Sequence, residues 1–254
     1  MAEFDLGILI IGSLFWDTKG HRKRWRRDRL VCDRATSVGA PIRYGRISES
    51  RDNTYTMVFS NALVPNNLGR ALAVTCIKRP ASVADLFNEA ESLWAAEQPS
   101  ASKSRLISGS WGAVGLLRNP HRPLAEEIIA GWTRRIRTEE ERTESKYCSN
   151  LVQSPGETPV VNPDGFLTIP WPDTKSGHPL ELDALLATVT VPSLCEGDYA
   201  GAEKIAEAWN SIPKRRNYFD ENRSVGITTA ADEQILLHLQ APPTQNDETL
   251  SGQR

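Results

Sequence analysis

Long apolar runs are scarce in this sequence. The most conspicuous, residues 6–15, is too short to cross a bilayer, so no membrane association is expected from it. It follows the acidic residues Glu3 and Asp5 rather than a basic stretch. No small-residue cleavage site accompanies it, which argues against a secretory leader. A surplus of one charge is also missing: 30 Lys and Arg against 32 Asp and Glu leave a net charge of −2. No global field therefore recruits nucleic acid or membrane. Cysteine and histidine are sparse, with four of each. Cys32, Cys76, Cys148 and Cys195 form no C-x-x-C pair, and the histidines have no ligand spacing. Neither G-x-x-x-x-G-K-[ST] nor G-x-G-x-x-G occurs in the Gly-rich stretch 108–117, so a phosphate loop or dinucleotide fold has no support. The expectation is a cytoplasmic, reduced chain that uses no metal and no cofactor.

What is present suits a globule. Hydrophobic residues make up 39% and charged residues 24% of 254 positions, enough for one large domain with a full core. We expect that domain to run to about residue 240, with extra material around 100–190, and to be followed by a disordered polar tail over 241–254. Leu6 to Phe15 reads as a strand buried on both faces that breaks at Gly12-Ser13-Leu14. Gly12 permits a close approach by a ligand, and the amides freed at a strand end suit an anion. The plainer reading is a buried strand that simply turns there. Residues 40–47, 54–60, 69–77 and 186–191 are further strand candidates, and 69–77 has the nearly continuous apolar character of an interior strand. Residues 153–181, rich in Pro and Gly, form an irregular excursion with the character of a lid.

Helical periodicity starts after Ser82, a natural N-cap, with apolar residues Val83, Leu86, Phe87, Ala90, Leu93 and Trp94 on one stripe. Asp85 points away from that stripe. Glu89 and Glu91 lie on its opposite borders, and periodicity does not choose between them. A long helix follows from Pro123 to about 146, polar all round in its second half and expected in solvent. Two more helices are expected over 199–212 and 233–239, the second capped by the Thr229 to Asp232 arrangement. The block His21 to Arg29 holds six Lys or Arg in nine residues, with Trp25 as the one anchor into the core. It suits a solvated helix face, an arginine clamp for a substrate carboxylate, or a nucleic-acid contact.

In this order the elements resemble the γ-glutamylcyclotransferase-like family. That family opens on a strand ending Tyr-Gly-Ser, matched here by Ile11-Gly12-Ser13-Leu14. Its helix motif Leu-Asp-x-x-Glu is matched by Phe87-Asn88-Glu89-Ala90-Glu91. Ile42 to Ser48 and Gly69 to Val74 stand where its barrel strands would. Tyr199 through Pro213 is similar to its C-terminal helix and apolar-Pro ending. The match covers residues 6–94 and 199–219. Two positions depart from the family: Ile11 replaces the usual Tyr, and Asn88 the usual Asp.

The resemblance implies an α+β fold, a mixed β-barrel with flanking helices. It implies an enzyme that folds a γ-glutamyl substrate so that its α-amine attacks its own γ-carbonyl, releasing 5-oxoproline and an amine. Because Asn88 takes the Asp position, Glu91 becomes the general acid/base. Gly12, Ser13, Leu14, Phe15 and Tyr44 become substrate-binding residues, with the amides of the first three holding a carboxylate or oxyanion. Ser13 is disfavoured as a nucleophile, because no G-x-S-x-G frame surrounds it. Two alternatives accompany this reading. One is another γ-glutamylamine or acyl-transfer enzyme on the same fold. The other is a non-catalytic protein whose 21–29 segment binds an anion or nucleic acid. No feature bears on the oligomeric state.

Overall fold

The computed structural model describes residues 3–63, 67–98, 105–108, 111–143, 158–194 and 197–240. Its strands are β1 (Leu6–Ile10), β2 (Thr36–Ala40), β3 (Ile42–Ser48), β4 (Thr54–Phe59), β5 (Gly69–Thr75), β6 (Ile107–Ser108), β7 (Gly112–Arg118) and β8 (Ala184–Thr190). Its helices are α1 (Gly20–Arg29), α2 (Val83–Glu97), α3 (Glu126–Thr143), α4 (Ala202–Ser211), α5 (Pro213–Ser224) and α6 (Asp232–Gln240). The class is α+β. Among the described residues no helix is long and apolar enough to cross a membrane.

β1 is the interior strand its composition requires. Every residue is buried, and it lies antiparallel to β5 on one side and parallel to β8 on the other. Both edges of its backbone are thereby satisfied and both faces are covered. The sheet runs in the order β2-β5-β1-β8-β7-β6. Among the described residues it does not close into the expected barrel, because β3 and β4 leave it and form a two-stranded ladder of their own. Pro41 stands at the point of departure. It has no N–H to offer the ladder with β5, which ends at the Ala40–Gly69 pair, and the chain swings away. The 100–190 span, expected as extra material, supplies β7 and β8 beside β1 and so belongs to the central sheet.

α2 starts where expected. Ser82 Oγ accepts the Asp85 N–H at 3.2 Å, and the Asp85 carboxylate accepts the Ala81 N–H at 3.1 Å. Its apolar stripe packs on α3 and the sheet, with Phe87 stacked on Trp132 at 5.3 Å. α3 departs from expectation in its polar half: Glu139 is buried, and its carboxylate accepts the Leu106 N–H at 3.4 Å. At the C-terminal end, Pro213 opens a helix rather than ending one. It occupies the first turn of α5, where a missing N–H costs nothing. Thr229 donates its N–H and hydroxyl to Asp232 Oδ1 at 2.9 and 2.6 Å, which fixes the start of α6. The expected 241–254 tail lies outside the described residues.

Candidate functional site

After Ile10 the chain curls into one helical turn. Phe15 N–H donates to Gly12 O at 3.2 Å, and Asp17 N–H to Ser13 O at 2.8 Å. The first amides of any such turn have no partner within it. Among the described residues the N–H groups of Gly12, Ser13 and Leu14 make no hydrogen bond. All three residues line a cavity of about 720 Å³, a volume suited to a small metabolite. Arg26 fixes the turn from behind, donating to Leu14 O at 2.6 Å and Asp17 O at 2.7 Å. A side chain at position 12 has no room, because its Cβ would lie 2.4 Å from the Tyr218 hydroxyl. That buried phenol, from α5, also lines the cavity and accepts the Met57 N–H at 3.3 Å.

The polar wall is a network centred on Arg22. Its guanidinium donates to Ser13 Oγ at 2.9 Å, Asp17 Oδ2 at 3.0 Å, Glu97 Oε2 at 2.6 Å and the Ala96 carbonyl at 3.2 Å. Arg51, from the β3–β4 turn, reaches the same Ser13 Oγ at 2.6 Å and Asp17 Oδ2 at 2.9 Å. A serine oxygen has two acceptor positions, and two guanidinium groups fill them here. The Ser13 hydroxyl keeps only its proton to offer, so it acts as a donor beside the three unbonded amides. Glu97 closes the network from the last residue of α2. Its Oε2 is held by Arg22, whereas Oε1 receives only a long 3.4 Å contact from the Thr188 hydroxyl.

Arg46 completes the cavity lining from β3. Strict alternation would put it on the face of Ile42 and Tyr44, which is core. The ladder with β4 slips at this point: Tyr44 pairs with Met57 and Arg46 with Thr56, so Gly45 is an extra residue. A bulge of this kind re-aims the next side chain, and Arg46 joins Thr56 on the cavity wall. Glycine is required there because a Cβ would meet the Val58 and Tyr199 side chains at 2.6 and 2.7 Å. Arg46 donates to the Trp111 carbonyl at 3.3 Å and makes no ion pair among the described residues. Burial pulls its guanidinium below the usual arginine range, with Glu97 and Glu49 opposing that pull.

Glu91, expected as the acid/base, is not on this wall. It faces α3, where Arg135 binds its Oε1 at 3.0 Å. Glu89 is buried against Arg29 at 2.8 Å. Helix geometry gives the reason: Glu97 lies six residues beyond Glu91, which is about 9 Å further along the axis and 240° round it. Glu97 stands seven residues after Ala90 and four after Leu93. A carboxylate at the end of the apolar stripe was therefore the signal that the border positions did not carry. Of the residues expected to bind substrate, Gly12, Ser13 and Leu14 line the cavity. Phe15 lies half-buried against the core and off the lining, and Tyr44 is buried against Trp209 and Phe219. The basic block divides by helical face. Arg22, Trp25 and Arg29 point inward, Lys23, Arg24 and Arg27 are exposed, and Arg27 pairs with Asp28. Described residues of the 158–181 segment do not line the cavity, so the lid expected there lies elsewhere, along β7 and β2.

Burial pushes the Asp17 carboxyl up, but the Lys19 amide and the Arg51 and Arg22 guanidinium groups outweigh it and hold the group below the usual aspartate range. The unfolded chain therefore takes up this proton first. The stabilisation is complete above the ordinary aspartate pKa and is lost as pH falls through the folded value. We expect the urea midpoint to fall between about pH 5 and about pH 3, and Asp17→Asn to lower it at neutral pH while flattening that acid limb. An acid limb of unchanged slope in the variant would assign the loss to other carboxylates.

Among the described residues no group of His, Cys, Asp and Glu is arranged to hold a metal ion. Compared with known proteins, the chain matches no family model, no curated protein and no solved structure.

Proposed function

We propose that this chain is a γ-glutamyl cyclotransferase-type enzyme, built on a γ-glutamylcyclotransferase-like variant of its α+β fold, with Glu97 rather than Glu91 as the proton carrier. One observation supports this reading above the others. A carboxylate from α2 and the unbonded amides where β1 breaks share one cavity wall, joined through the Arg22 guanidinium. The turn offers three amides and the Ser13 hydroxyl to the oxygen that becomes negative during attack. Glu97 Oε1 is free enough to receive the substrate ammonium. Tyr218 adds a hydroxyl beside Gly12, where Ile11 has none.

The reaction is internal to the substrate, so the cavity's main work is to hold it folded. The α-nitrogen forms a bond to the γ-carbonyl carbon, closing a five-membered lactam, while the original amide C–N bond breaks. The α-ammonium sheds two protons in becoming the lactam N–H: Glu97 passes the first to the departing nitrogen as its C–N bond breaks, and the second follows the same route, so that the amine leaves as an ammonium. No atom outside substrate and protein is consumed.

The test is a panel of γ-glutamyl amides and peptides assayed for 5-oxoproline, run in parallel with Glu91→Gln. We expect turnover of at least one compound, unchanged in the variant, because the half-exposed Glu91–Arg135 pair contributes about 1 kcal/mol or less to stability. No 5-oxoproline from any compound, or a loss of turnover in Glu91→Gln with its fold intact, would overturn the assignment.

A further inference from the structure

We infer that a second cavity binds an α-amino acid with a large apolar side chain, its carboxylate at Arg70, its ammonium at Asp173 and its side chain against Trp171 and Leu68. This cavity, of about 400 Å³, lies where the 170–174 segment meets the β2 edge of the sheet. It shares no lining residue with the cavity beside the β1 turn, so its ligand is independent of the reaction proposed there.

Gly39 gives the first sign. It stands inside β2 and lines the cavity, although glycine costs stability in a strand and packs nothing. Its φ is not positive, so no backbone conformation requires it. Crowding does not require it either. Among the described residues a Cβ there would meet only Leu68 Cδ1 within 4 Å, at 3.4 Å, an ordinary contact. At Gly69, by contrast, a Cβ would run into the Thr228 carbonyl. Gly39 pairs directly with Arg70 of β5, so the missing side chain clears space beside that arginine.

The charges name the ligand. Arg70 spends Nε and Nη2 on Ser37, whose hydroxyl and carbonyl oxygens accept at 3.2 Å each. Its Nη1 makes no hydrogen bond, and among the described residues the guanidinium has no ion pair. The Asp173 carboxylate, from the same lining, is likewise without a hydrogen bond or ion pair there. Two opposite charges that share a small cavity and do not pair with each other suit a ligand that carries both. An apolar acid alone would leave Asp173 unanswered, and an apolar amine alone would leave Arg70 so. The volume lies in the small-ligand range.

The apolar wall is fixed in advance. Trp171 donates Nε1–H to Leu180 O at 3.1 Å, which spends its polar edge and leaves its ring to apolar contact. Thr174 N–H donates to His178 O at 2.8 Å, closing the segment on itself, and Gly39 N–H donates to Asp173 O at 3.0 Å, which pins it to β2. A site built this way loses little freedom when it is filled.

The experiment is titration calorimetry of the full chain with L-phenylalanine, 3-phenylpropionate and phenethylamine, which carry both charges, the negative one and the positive one. We expect the wild type to bind L-phenylalanine about 10-fold or more tightly than either analogue. Arg70→Met should weaken L-phenylalanine and 3-phenylpropionate about 10-fold or more and leave phenethylamine unchanged, and Asp173→Asn should do the reverse for the two analogues. Gly39→Val should abolish binding of all three with a thermal midpoint at or above that of the wild type, because valine suits a strand. Failure of the wild type to bind L-phenylalanine, 3-phenylpropionate bound as tightly as L-phenylalanine, or wild-type affinity in a folded Gly39→Val protein would overturn the site. Should that variant not fold, undiminished binding of L-phenylalanine in Arg70→Met would overturn it alone.

Discussion

Glu97→Gln is expected to reduce 5-oxoproline formation by a factor of about 100 to 10,000, the range for removing a positioned acid/base. The loss should fall on kcat more than on KM, because the amide keeps the shape of the side chain and still accepts one Arg22 N–H. The variant also has a structural cost. Glu97 is mostly buried, and its exchange for a neutral group weakens a charge-assisted bond of 2.6 Å, which we place at about 1 to 3 kcal/mol. A thermal midpoint measured on the same preparation separates the two effects. Wild-type turnover in a folded Glu97→Gln protein would remove the carboxylate from the chemistry and leave it an anchor for Arg22.

The largest expected effect on stability belongs to Arg22→Met. This side chain is buried and satisfies Asp17 and Glu97 together, tying α1 to the end of α2 and to the turn after β1. Removing it leaves Glu97 without its ion-pair partner and Asp17 with Arg51 as its one remaining guanidinium, which costs about 3 to 5 kcal/mol. In a chain of this size that lowers the thermal midpoint by roughly 10 °C. Part of the loss comes from the Asp17 charge, left with Arg51 as its one ion-pair partner, rather than from the missing contacts. Asp17→Asn added to Arg22→Met should therefore cost less than the sum of the two single changes, with a coupling of about 1 kcal/mol or more. Strict additivity would mean that the two residues contribute independently, contrary to the bonds drawn between them.

Most of the framework could be read from residue patterns because it rests on local signals. An all-apolar run marks an interior strand, Ser82 with Asp85 marks a helix start, and Trp25 marks the inward face of α1. The same logic places Arg22 and Arg29 inward, three residues before and four after Trp25, although the density of charge suggested a solvated surface. The site was legible in its first half, at Gly12, Ser13 and Leu14, because a strand that breaks at glycine exposes its own amides. The carboxylate that shares the wall was less legible: Glu89 and Glu91 mark the borders of the α2 stripe, while Glu97 sits on the stripe itself, one turn past Leu93. Arg46 was not legible at all. Its direction depends on a one-residue slip in the β3–β4 ladder at Gly45, where the absent side chain leaves room for Val58 and Tyr199, and no local pattern encodes that slip. Arg51 depends likewise on where that ladder comes to rest. α5, the source of Tyr218, was concealed by Pro213, which reads as a stop and serves as a start.

The Tyr218 hydroxyl occupying the place of a Cβ on Gly12 also constrains how this protein can diverge. Two positions at opposite ends of the chain compete for one small volume, so their histories are bound in a fixed order. A descendant can acquire a larger residue at 12 only after 218 has become smaller, and reversion at 218 is then barred. Lineages that retain the phenol are confined to glycine at the turn, and comparison of variant sequences should find the two sites changing in that sequence or remaining together.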